Sequence, residues 1–279
     1  MKPDGSEKDT ICNVADIKIF DTHAHYDDEQ FNEDRAEVFE NIRNAGVLKV
    51  VNIGCNMKSS KTSRKLSETV NGFYGAVGIH PSDADEFNED NLRELRELAL
   101  GERIVAIGEI GLDYYWDDFP REIQREAFEG QLKLARELDM PVVIHCREAA
   151  AETFEYMKKH AEILKNEGKS VKGVIHCYSG SVEMAKEYVK LGYYIGVGGV
   201  LTFKNAKKLV EVVEGRPLDN IVIETDCPYL SPVPFRGKRN DSANLIYVIE
   251  KISEITGKAI HEVAEKVWNN AHRLYELKQ

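Results

Sequence analysis

The chain has 279 residues, of which 42% are hydrophobic and 30% are charged, and its formal net charge is −11. This acidic balance argues against a protein that binds nucleic acid through a broad basic surface, although an enzyme can still meet a few phosphates in a small cleft. No apolar run is long enough to span a bilayer, so we expect no membrane insertion.

The amino-terminal stretch MKPDGSEKDTICNVAD is polar and lacks the apolar centre of a secretory signal. We therefore expect a poorly ordered lead-in at residues 1–16 and a single domain at residues 17–279. The five cysteines form no CxxC pair and are odd in number, which indicates no disulfide framework. Three of them, Cys146, Cys177 and Cys227, are expected to face the layer between strand and helix as small buried side chains. These features predict a cytoplasmic protein.

Eight short apolar runs alternate with helical patterns along the rest of the chain. The runs span 17–20, 47–53, 73–79, 104–107, 142–144, 171–175, 193–197 and 221–223. Helical stripes are legible between them, as in NEDNLRELRELALG and REAFEGQLKLARELDMP, and the last stripe, KAIHEVAEKVWNNAHRLYEL, follows the eighth run. Continuous apolar runs separated by helices are typical of a parallel sheet whose outer face is covered.

Eight strand–helix units in about this length predict an α/β fold, a single (β/α)8 TIM barrel. A doubly wound open sheet is the alternative. Such a sheet usually has a glycine-rich phosphate-binding turn after its first strand, and this chain has DTHAHYDD there. The barrel is therefore the favoured architecture.

Polar side chains stand at the carboxyl ends of most of the predicted strands. His23 and His25 share a face if their segment is extended, because residues i and i+2 of a strand point the same way. Six side chains of metal-ligand type occupy such ends: His23, His25, Glu109, His145, His176 and Asp226. Each histidine alone is also compatible with a hydrogen-bonded core residue. In a barrel, however, these strand ends converge on one mouth, which predicts a metal centre there.

A series of motifs runs through the chain in a fixed order: DTHAH, GIHP, GEIGLDYY, IHCREA, HCYSGS, ETDCPYL, RGKRN and NAHRLY. Together they resemble the TatD family of metal-dependent deoxyribonucleases, within the amidohydrolase-like superfamily of metal barrels. The resemblance extends from about residue 17 to residue 275. One departure is Ser242, in NDSAN, where the family usually has proline. We expect this difference to change the loop conformation without loss of the site.

The resemblance implies two divalent metal ions per chain, with Mg²⁺, Mn²⁺ and Zn²⁺ all compatible. One ion would be held by His23, His25 and Asp226, the other by His145 and His176, with Glu109 bridging the two. A carboxylate suits a bridge, because its charge offsets the repulsion between two cations about 3.5–4 Å apart. Asp226 is also expected to accept the proton of the attacking water, so Asp226 and Glu109 are the predicted catalytic residues.

Three further residues near the strand ends are candidates for substrate contacts. Arg147 can bind a phosphate through its planar guanidinium, and the alternative is an ion pair with a nearby carboxylate. Ser181, with Gly180, opens the helix after the sixth run, where backbone N–H groups can bind an anion. His80 is a candidate contact for the phosphate or the leaving group, and the alternative is a structural histidine.

Two carboxylates beside these positions are assigned supporting roles. Glu224 lies two residues before Asp226 on the same face of the strand, so it is expected deeper in the barrel as a hydrogen-bond partner for the ligands. Asp113, together with Tyr114, is expected to shape the loop after the fourth strand.

The resemblance and the residue types together predict a divalent-metal-dependent phosphodiester hydrolase, a 3′–5′ exodeoxyribonuclease. It is expected to act as a monomer on single-stranded DNA or DNA ends. A closed barrel mouth suits a chain end better than the middle of a duplex. The alternative is a metal-dependent deacylase or amidohydrolase, such as a D-aminoacyl-tRNA deacylase. The superfamily also uses a carboxylated lysine as a bridge, and here Glu109 stands at the end of the fourth strand, which favours the phosphodiesterase. A non-catalytic barrel is disfavoured because none of the predicted ligands is missing.

Overall fold

The structure, a computed structural model, describes residues 17–116, 119–215 and 218–278. Its described part contains eight strands in one parallel sheet, in the order in which they occur along the chain. They are β1 (Ile19–Ala24), β2 (Val47–Ile53), β3 (Phe73–Val77), β4 (Ile104–Asp113), β5 (Val142–Arg147), β6 (Gly173–Ile175), β7 (Tyr194–Val197) and β8 (Ile221–Ile223). A parallel bridge between Ala24 and Cys227 brings the two edges of the sheet together. The predicted (β/α)8 TIM barrel is thereby confirmed.

Helices follow the strands and cover the outside of the sheet. They are α1 (Arg35–Asn44), α2 (Met57–Thr69), α3 (Glu89–Ala99), α4 (Arg121–Leu138), α5 (Ala150–Asn166), α6 (Val182–Leu191), α7 (Lys207–Glu214), α8 (Leu245–Thr256) and α9 (Ile260–Leu274). None of the helices in the described ranges is long and apolar enough to cross a membrane. The lead-in expected at residues 1–16 lies outside the described residues.

Three strands, β1, β4 and β5, continue farther toward the mouth than the apolar runs that predicted them. β4 continues past Ile107 through Glu109 to Asp113, and its last residue pairs in register with Arg147 of β5. β1 likewise continues to Ala24 and includes His23. An apolar run ends where the strand leaves the packed interior and its side chains begin to line the open mouth. The runs therefore mark the beginning of these strands better than the end.

The barrel interior is filled by apolar side chains, and α9 packs against this inner cluster. Its buried members come mainly from the strands and from α9: Phe20, Val51, Ile53, Ala76, Val105, Ala106, Val143, Val174, Val222, Ala271, Leu274 and Tyr275. The Tyr275 hydroxyl also donates a hydrogen bond to the carbonyl of Thr22 in β1, at 2.9 Å. A packed interior gives the strands fixed positions, and therefore fixes the side chains at their carboxyl ends.

The cysteines in the described part of the chain are free thiols: Cys55, Cys146, Cys177 and Cys227. Cys227 is fully buried, as expected, whereas Cys146 and Cys177 are only half-buried.

Candidate metal centre

Glu109, in β4, lies at the centre of the predicted cluster and is almost fully buried. Its two carboxylate oxygens face different pairs of histidines. Oε1 lies 2.8 Å from Nδ1 of His145 and 2.7 Å from Nε2 of His176. Oε2 lies 3.3 Å from Nε2 of His23 and 3.8 Å from Nε2 of His25. The carboxylate therefore joins a group of residues on β1 to a group of residues at the ends of β5 and β6.

The β1 side of the cluster contains the two histidines that are separated by one residue. Nε2 of His23 and Nε2 of His25 are 3.0 Å apart, and they lie 3.5 Å and 3.3 Å from Oδ1 of Asp226. Nδ1 of His25 is 3.1 Å from the carbonyl oxygen of Ile53. A proton on this Nδ1 can donate to the carbonyl, which leaves the Nε2 lone pair directed at His23 and Asp226.

Asp226 follows β8 and has an unusual backbone conformation. Its φ of 57° lies in the left-handed region that residues with a Cβ rarely adopt. The backbone N–H of Asp226 donates to the carbonyl of His23 at 2.9 Å, which holds this segment against β1. Strained backbone at a cluster of ionisable groups indicates that the direction of the side chain matters.

On the other side of the cluster, both histidines have a carboxylate behind them. Nε2 of His145 lies 3.0 Å from Oδ2 of Asp113, which is itself buried. Nδ1 of His176 lies 3.8 Å from Oε1 of Glu224, and the same carboxylate accepts a hydrogen bond from the backbone N–H of Cys177. Glu224 was expected as a hydrogen-bond partner for the ligands, and it lies behind His176 as a neighbouring charge beyond hydrogen-bond distance.

His80 lies beside the cluster with its Nε2 atom 3.7 Å from Oε1 of Glu109. The backbone N–H of Ser82 donates to Nδ1 of His80 at 3.0 Å, so in the neutral ring the proton belongs on Nε2. A protonated Nε2 donates a hydrogen bond and has no lone pair for a cation. This geometry favours His80 as a hydrogen-bond donor at the mouth.

The pKa values of His23 and His176 are shifted in opposite directions. Burial, together with the nearby His176, lowers the pKa of His23 to about 4. Burial also opposes the charged form of His176, but the Glu109 carboxylate outweighs it and raises the pKa to about 9. Burial would raise the pKa of Glu109, whereas His176 and His145 hold it well below its usual range. These shifts favour a charged His176 beside an ionised Glu109 and a neutral His23.

The donor set fits divalent cations. Two groups of side chains each place their ligand atoms within 4.8 Å of one another, namely His23 with His176 and Asp226, and His23 with His25 and Glu109. His80 meets the same distance with Glu109 and His145, but its protonated Nε2 is a hydrogen-bond donor there. Among the described residues, the buried polar atoms without a hydrogen-bond partner include Nδ1 of His23, Nδ1 of His176 and Oε2 of Glu224, which all belong to this cluster. Imidazole nitrogens and carboxylate oxygens are ligands that Zn²⁺ and Mn²⁺ accept readily.

The structure brings the six predicted ligands together, whereas Arg147 and Ser181, two of the predicted substrate contacts, lie outside the cluster. Arg147 is exposed, and its guanidinium lies 4.0 Å from the ring centre of Tyr115 without an ion pair to any described residue. Ser181 caps α6, where its hydroxyl accepts from the N–H of Met184 at 3.3 Å, and no contact in the described ranges connects it to the cluster.

Ser242, the departure from the family pattern, is buried in a hydrogen-bond network. Its hydroxyl donates to Oδ2 of Asp21 at 2.6 Å, and its backbone N–H donates to the hydroxyl of Tyr26 at 2.9 Å. The residue lies in a short 3-10 helix, Ser242–Asn244, behind β1. The network gives the serine a structural role and leaves the six predicted ligands in contact.

From the sequence, Asp113 was assigned a different role from the one observed, and Cys55 was not identified at all. Asp113 was expected to shape a loop, yet it is the last residue of β4 and contacts His145 directly. It is four residues from Glu109, a spacing that puts both side chains on one face of a regular strand and could have indicated the contact. Cys55, just past β2, places its sulfur 3.8 Å from both Nδ1 of His25 and Oε2 of Glu109.

The barrel and the donor set at its mouth define the class of metal-dependent barrel hydrolases. Residues 20–276 match the family model of TatD related DNases, and the chain belongs to this family. It is 42% identical over 260 residues to the uncharacterized metal-dependent hydrolase YabD of Bacillus subtilis, covering 93% of this chain and 99% of the relative.

Two further relatives complete the comparison. A protein of Pantoea vagans, named 3′-5′ ssDNA/RNA exonuclease TatD, is 33% identical over 266 residues, which cover 93% of this chain and 100% of that protein. The crystal structure of YjjV, a TatD homolog from Escherichia coli, superposes with a TM-score of 0.86 at 30% identity and covers 95% of this chain and 100% of that chain.

Proposed function

We propose that the chain is a two-metal phosphodiesterase that removes nucleotides from the 3′ end of DNA. The observation that carries the proposal is the division of the Glu109 carboxylate, whose Oε2 faces His23 and His25 while Oε1 faces His145 and His176. A side chain in this position can bridge two cations. His23, His25 and Asp226 would hold one of them, and His145 and His176 the other.

Bound divalent cations would supply Lewis acidity toward the phosphate and lower the pKa of a nucleophilic water. Asp226 has one oxygen directed at His23 and His25 and is partly accessible from the mouth, so it is placed to accept the proton of an attacking water. The Nε2–H of His80 is directed into the cluster and can donate to a phosphate or leaving-group oxygen. Arg147 lies at the rim and supplies a positive charge for the phosphate chain.

The assignment of DNA as substrate is supported by the relative from Pantoea vagans, which is named as an exonuclease of single-stranded DNA and RNA. The acidic charge of this chain also suits an enzyme that meets only a few phosphates at a chain end. The 3′ to 5′ direction, the two-metal stoichiometry and the preference for DNA over RNA are parts of the proposal that the experiment below addresses.

The test uses protein that has been freed of metal by chelation and reloaded with Mg²⁺, Mn²⁺ or Zn²⁺. We expect the reloaded protein to hydrolyse bis-p-nitrophenyl phosphate and to shorten a 5′-labelled single-stranded oligonucleotide one nucleotide at a time. A blocked 3′ end should stop the shortening, and an RNA oligonucleotide of the same sequence reports the sugar preference. Chelation should abolish both activities while the fold remains, because the barrel core is apolar.

Hydrolysis of D-aminoacyl-tRNA or of a cyclic amide, with no cleavage of either phosphodiester, would replace the proposal by the deacylase or amidohydrolase alternative. Phosphodiester cleavage that survives exhaustive chelation would remove the metal from the mechanism. Mass spectrometry of the reloaded protein gives the number of bound metal ions directly.

A further inference from the structure

Large apolar side chains that are exposed are concentrated at the barrel mouth. Among the described residues, those that follow a strand at the mouth are Tyr115, Trp116, Tyr229, Leu230 and Val233, whereas Leu48, Leu100 and Ile123 lie elsewhere. Tyr115 and Trp116 directly follow β4 and are 54% and 53% exposed. Their rings meet edge to face with centres 4.9 Å apart. Exposing two adjacent aromatic rings to water is unfavourable, because their apolar surface is not buried. Such a pair therefore indicates a surface that a ligand covers.

One carboxylate connects this aromatic pair to the candidate metal centre. Oδ1 of Asp113 accepts hydrogen bonds from the backbone N–H groups of Tyr115, at 2.9 Å, and of Trp116, at 3.2 Å. Oδ2 of the same side chain lies 3.0 Å from Nε2 of His145. The Asp113 side chain therefore holds the backbone of the aromatic pair in a fixed position relative to His145, a predicted ligand.

Among the described residues, one cation lies against the pair. The guanidinium of Arg147 lies 4.0 Å from the ring centre of Tyr115 and 5.5 Å from that of Trp116. Arg147 is two residues beyond His145 along β5, so its Cα lies roughly 6–7 Å farther along an extended strand. An aromatic surface with a cation beside it matches the alternation of bases and phosphates in a nucleic acid.

We propose that Tyr115 and Trp116 form a stacking surface for a nucleobase of a single-stranded nucleic acid whose reacting phosphodiester lies at the metal centre. Arg147 contacts a phosphate beside that base. This inference rests on the proposed function, and it names the part of the substrate that the protein recognises, an unpaired base. A base in a duplex has both faces covered by its neighbours, so the surface selects a single strand or an unpaired end. Since every base has an aromatic face, the recognition is tolerant of sequence.

The experiment compares Tyr115→Ala and Trp116→Ala with the wild-type protein on two single-stranded oligonucleotides, one normal and one with abasic residues near its 3′ end. We expect each variant to raise the KM for the normal oligonucleotide about tenfold, in line with the usual strength of base–aromatic stacking. The increase should be much smaller on the abasic oligonucleotide, and Trp116→Phe should recover most of the loss. Leu100→Ala, at an apolar position after α3 that is 70% exposed, is the matched control and should change neither KM.

A binding measurement makes the outcome independent of turnover. The chain has two tryptophans, Trp116 and Trp268, so Trp268→Phe leaves Trp116 as the single fluorescent reporter. A normal oligonucleotide with hydrolysis-resistant phosphorothioate linkages should quench this fluorescence, and the abasic oligonucleotide should not.

The two proposals fail in different ways. If the wild-type protein cleaves no phosphodiester but Trp116 is quenched by the normal oligonucleotide alone, the phosphodiesterase assignment fails and the stacking surface stands. If the protein cleaves oligonucleotides while the alanine variants keep their KM, or if both oligonucleotides quench Trp116 equally, the stacking surface is overturned and the phosphodiesterase assignment stands.

Discussion

The two halves of the candidate metal centre are held in place by different kinds of partner. In the half formed by β1 and the end of β8, backbone groups are the partners. Nδ1 of His25 lies 3.1 Å from the carbonyl oxygen of Ile53, and the N–H of Asp226 donates to the carbonyl of His23 at 2.9 Å. The first contact joins the end of β1 to its neighbour β2, and the second joins β1 to the segment after β8, where the barrel closes.

In the half at the ends of β5 and β6, carboxylates are the partners. Asp113 lies 3.0 Å from Nε2 of His145, and Glu224 lies 3.8 Å from Nδ1 of His176. A backbone carbonyl fixes the ring orientation of a histidine, whereas a hydrogen-bonded carboxylate such as Asp113 fixes it and also raises the basicity of the imidazole. Glu224, at 3.8 Å, acts on His176 through its charge. The second half therefore depends on side chains that a mutation can remove, and Glu109 is common to both halves.

The largest effect is expected from the two predicted catalytic carboxylates. Asp226→Asn keeps the size and one coordinating oxygen but removes the charge and the proton acceptor, so kcat should fall by ~10² to 10⁴ while the metal at His145 and His176 remains. Glu109→Gln should lower the metal content of both halves, because its oxygens face both of them. Metal content by mass spectrometry and single-turnover cleavage of a short single strand separate the two variants. Near wild-type turnover in Asp226→Asn would remove this residue as the base.

The contrast between the halves is tested most directly at Asp113. Asp113→Asn keeps the shape of the side chain but weakens its interaction with Nε2 of His145, so the affinity for one metal ion should fall about 10- to 100-fold. The metal held by His23 and His25 should stay, which gives a protein with one ion per chain at limiting metal. Competition with a chelator, followed by metal analysis, measures the two affinities. Equal weakening of both ions would contradict the separation into halves.

A smaller effect is expected at the rim. If Arg147 contacts a substrate phosphate, Arg147→Ala should raise the KM for an oligonucleotide on the order of tenfold, the lower part of the range for a charged hydrogen bond, because the residue is exposed. Arg147→Lys should recover only part of the loss, since lysine has the charge without the planar guanidinium. Metal content is the control. An unchanged KM together with a lower melting temperature would show that the stacking of Arg147 on Tyr115 is structural.

The difference between backbone and side-chain partners also explains how much of the site could be predicted from the sequence. The barrel and the six predicted ligands follow from strand periodicity and from residues that stand at strand ends, such as His145 in VIHCRE. The partners behind the ligands are harder to predict. The contact of His25 with the carbonyl of Ile53 involves no particular side chain, so no residue type marks it.

Asp113 illustrates a second limit of sequence interpretation. Its β4 strand extends beyond the apolar run that predicted it, and the extension alone places the carboxylate next to His145. The stacking of Arg147 on Tyr115 depends on pairing between Asp113 and Arg147 across two strands, which a one-dimensional pattern does not contain.

The smallest expected effect concerns the network behind the β1 half. The carboxylate of Asp21 is buried and accepts from the hydroxyls of Ser242 and Thr225, both at 2.6 Å, and from the N–H of His23 at 3.2 Å. Ser242→Ala removes one of these donors and should lower the free energy of unfolding by about 1 kcal/mol, while Thr225 and the backbone keep Asp21 hydrogen-bonded. The metal content of both halves should be unchanged, because the predicted ligands keep their own partners.

Ser253→Ala is the matched control for this variant, since it removes a serine hydroxyl that bonds the carbonyl of Lys258 at an exposed position. Urea unfolding of the two variants should show the larger loss for Ser242→Ala, and an equal loss would mean that the buried network adds nothing. Ser242→Pro, which introduces the usual family residue, also removes the N–H that donates to the hydroxyl of Tyr26. It should therefore be less stable than Ser242→Ala, because proline has no N–H for this hydrogen bond.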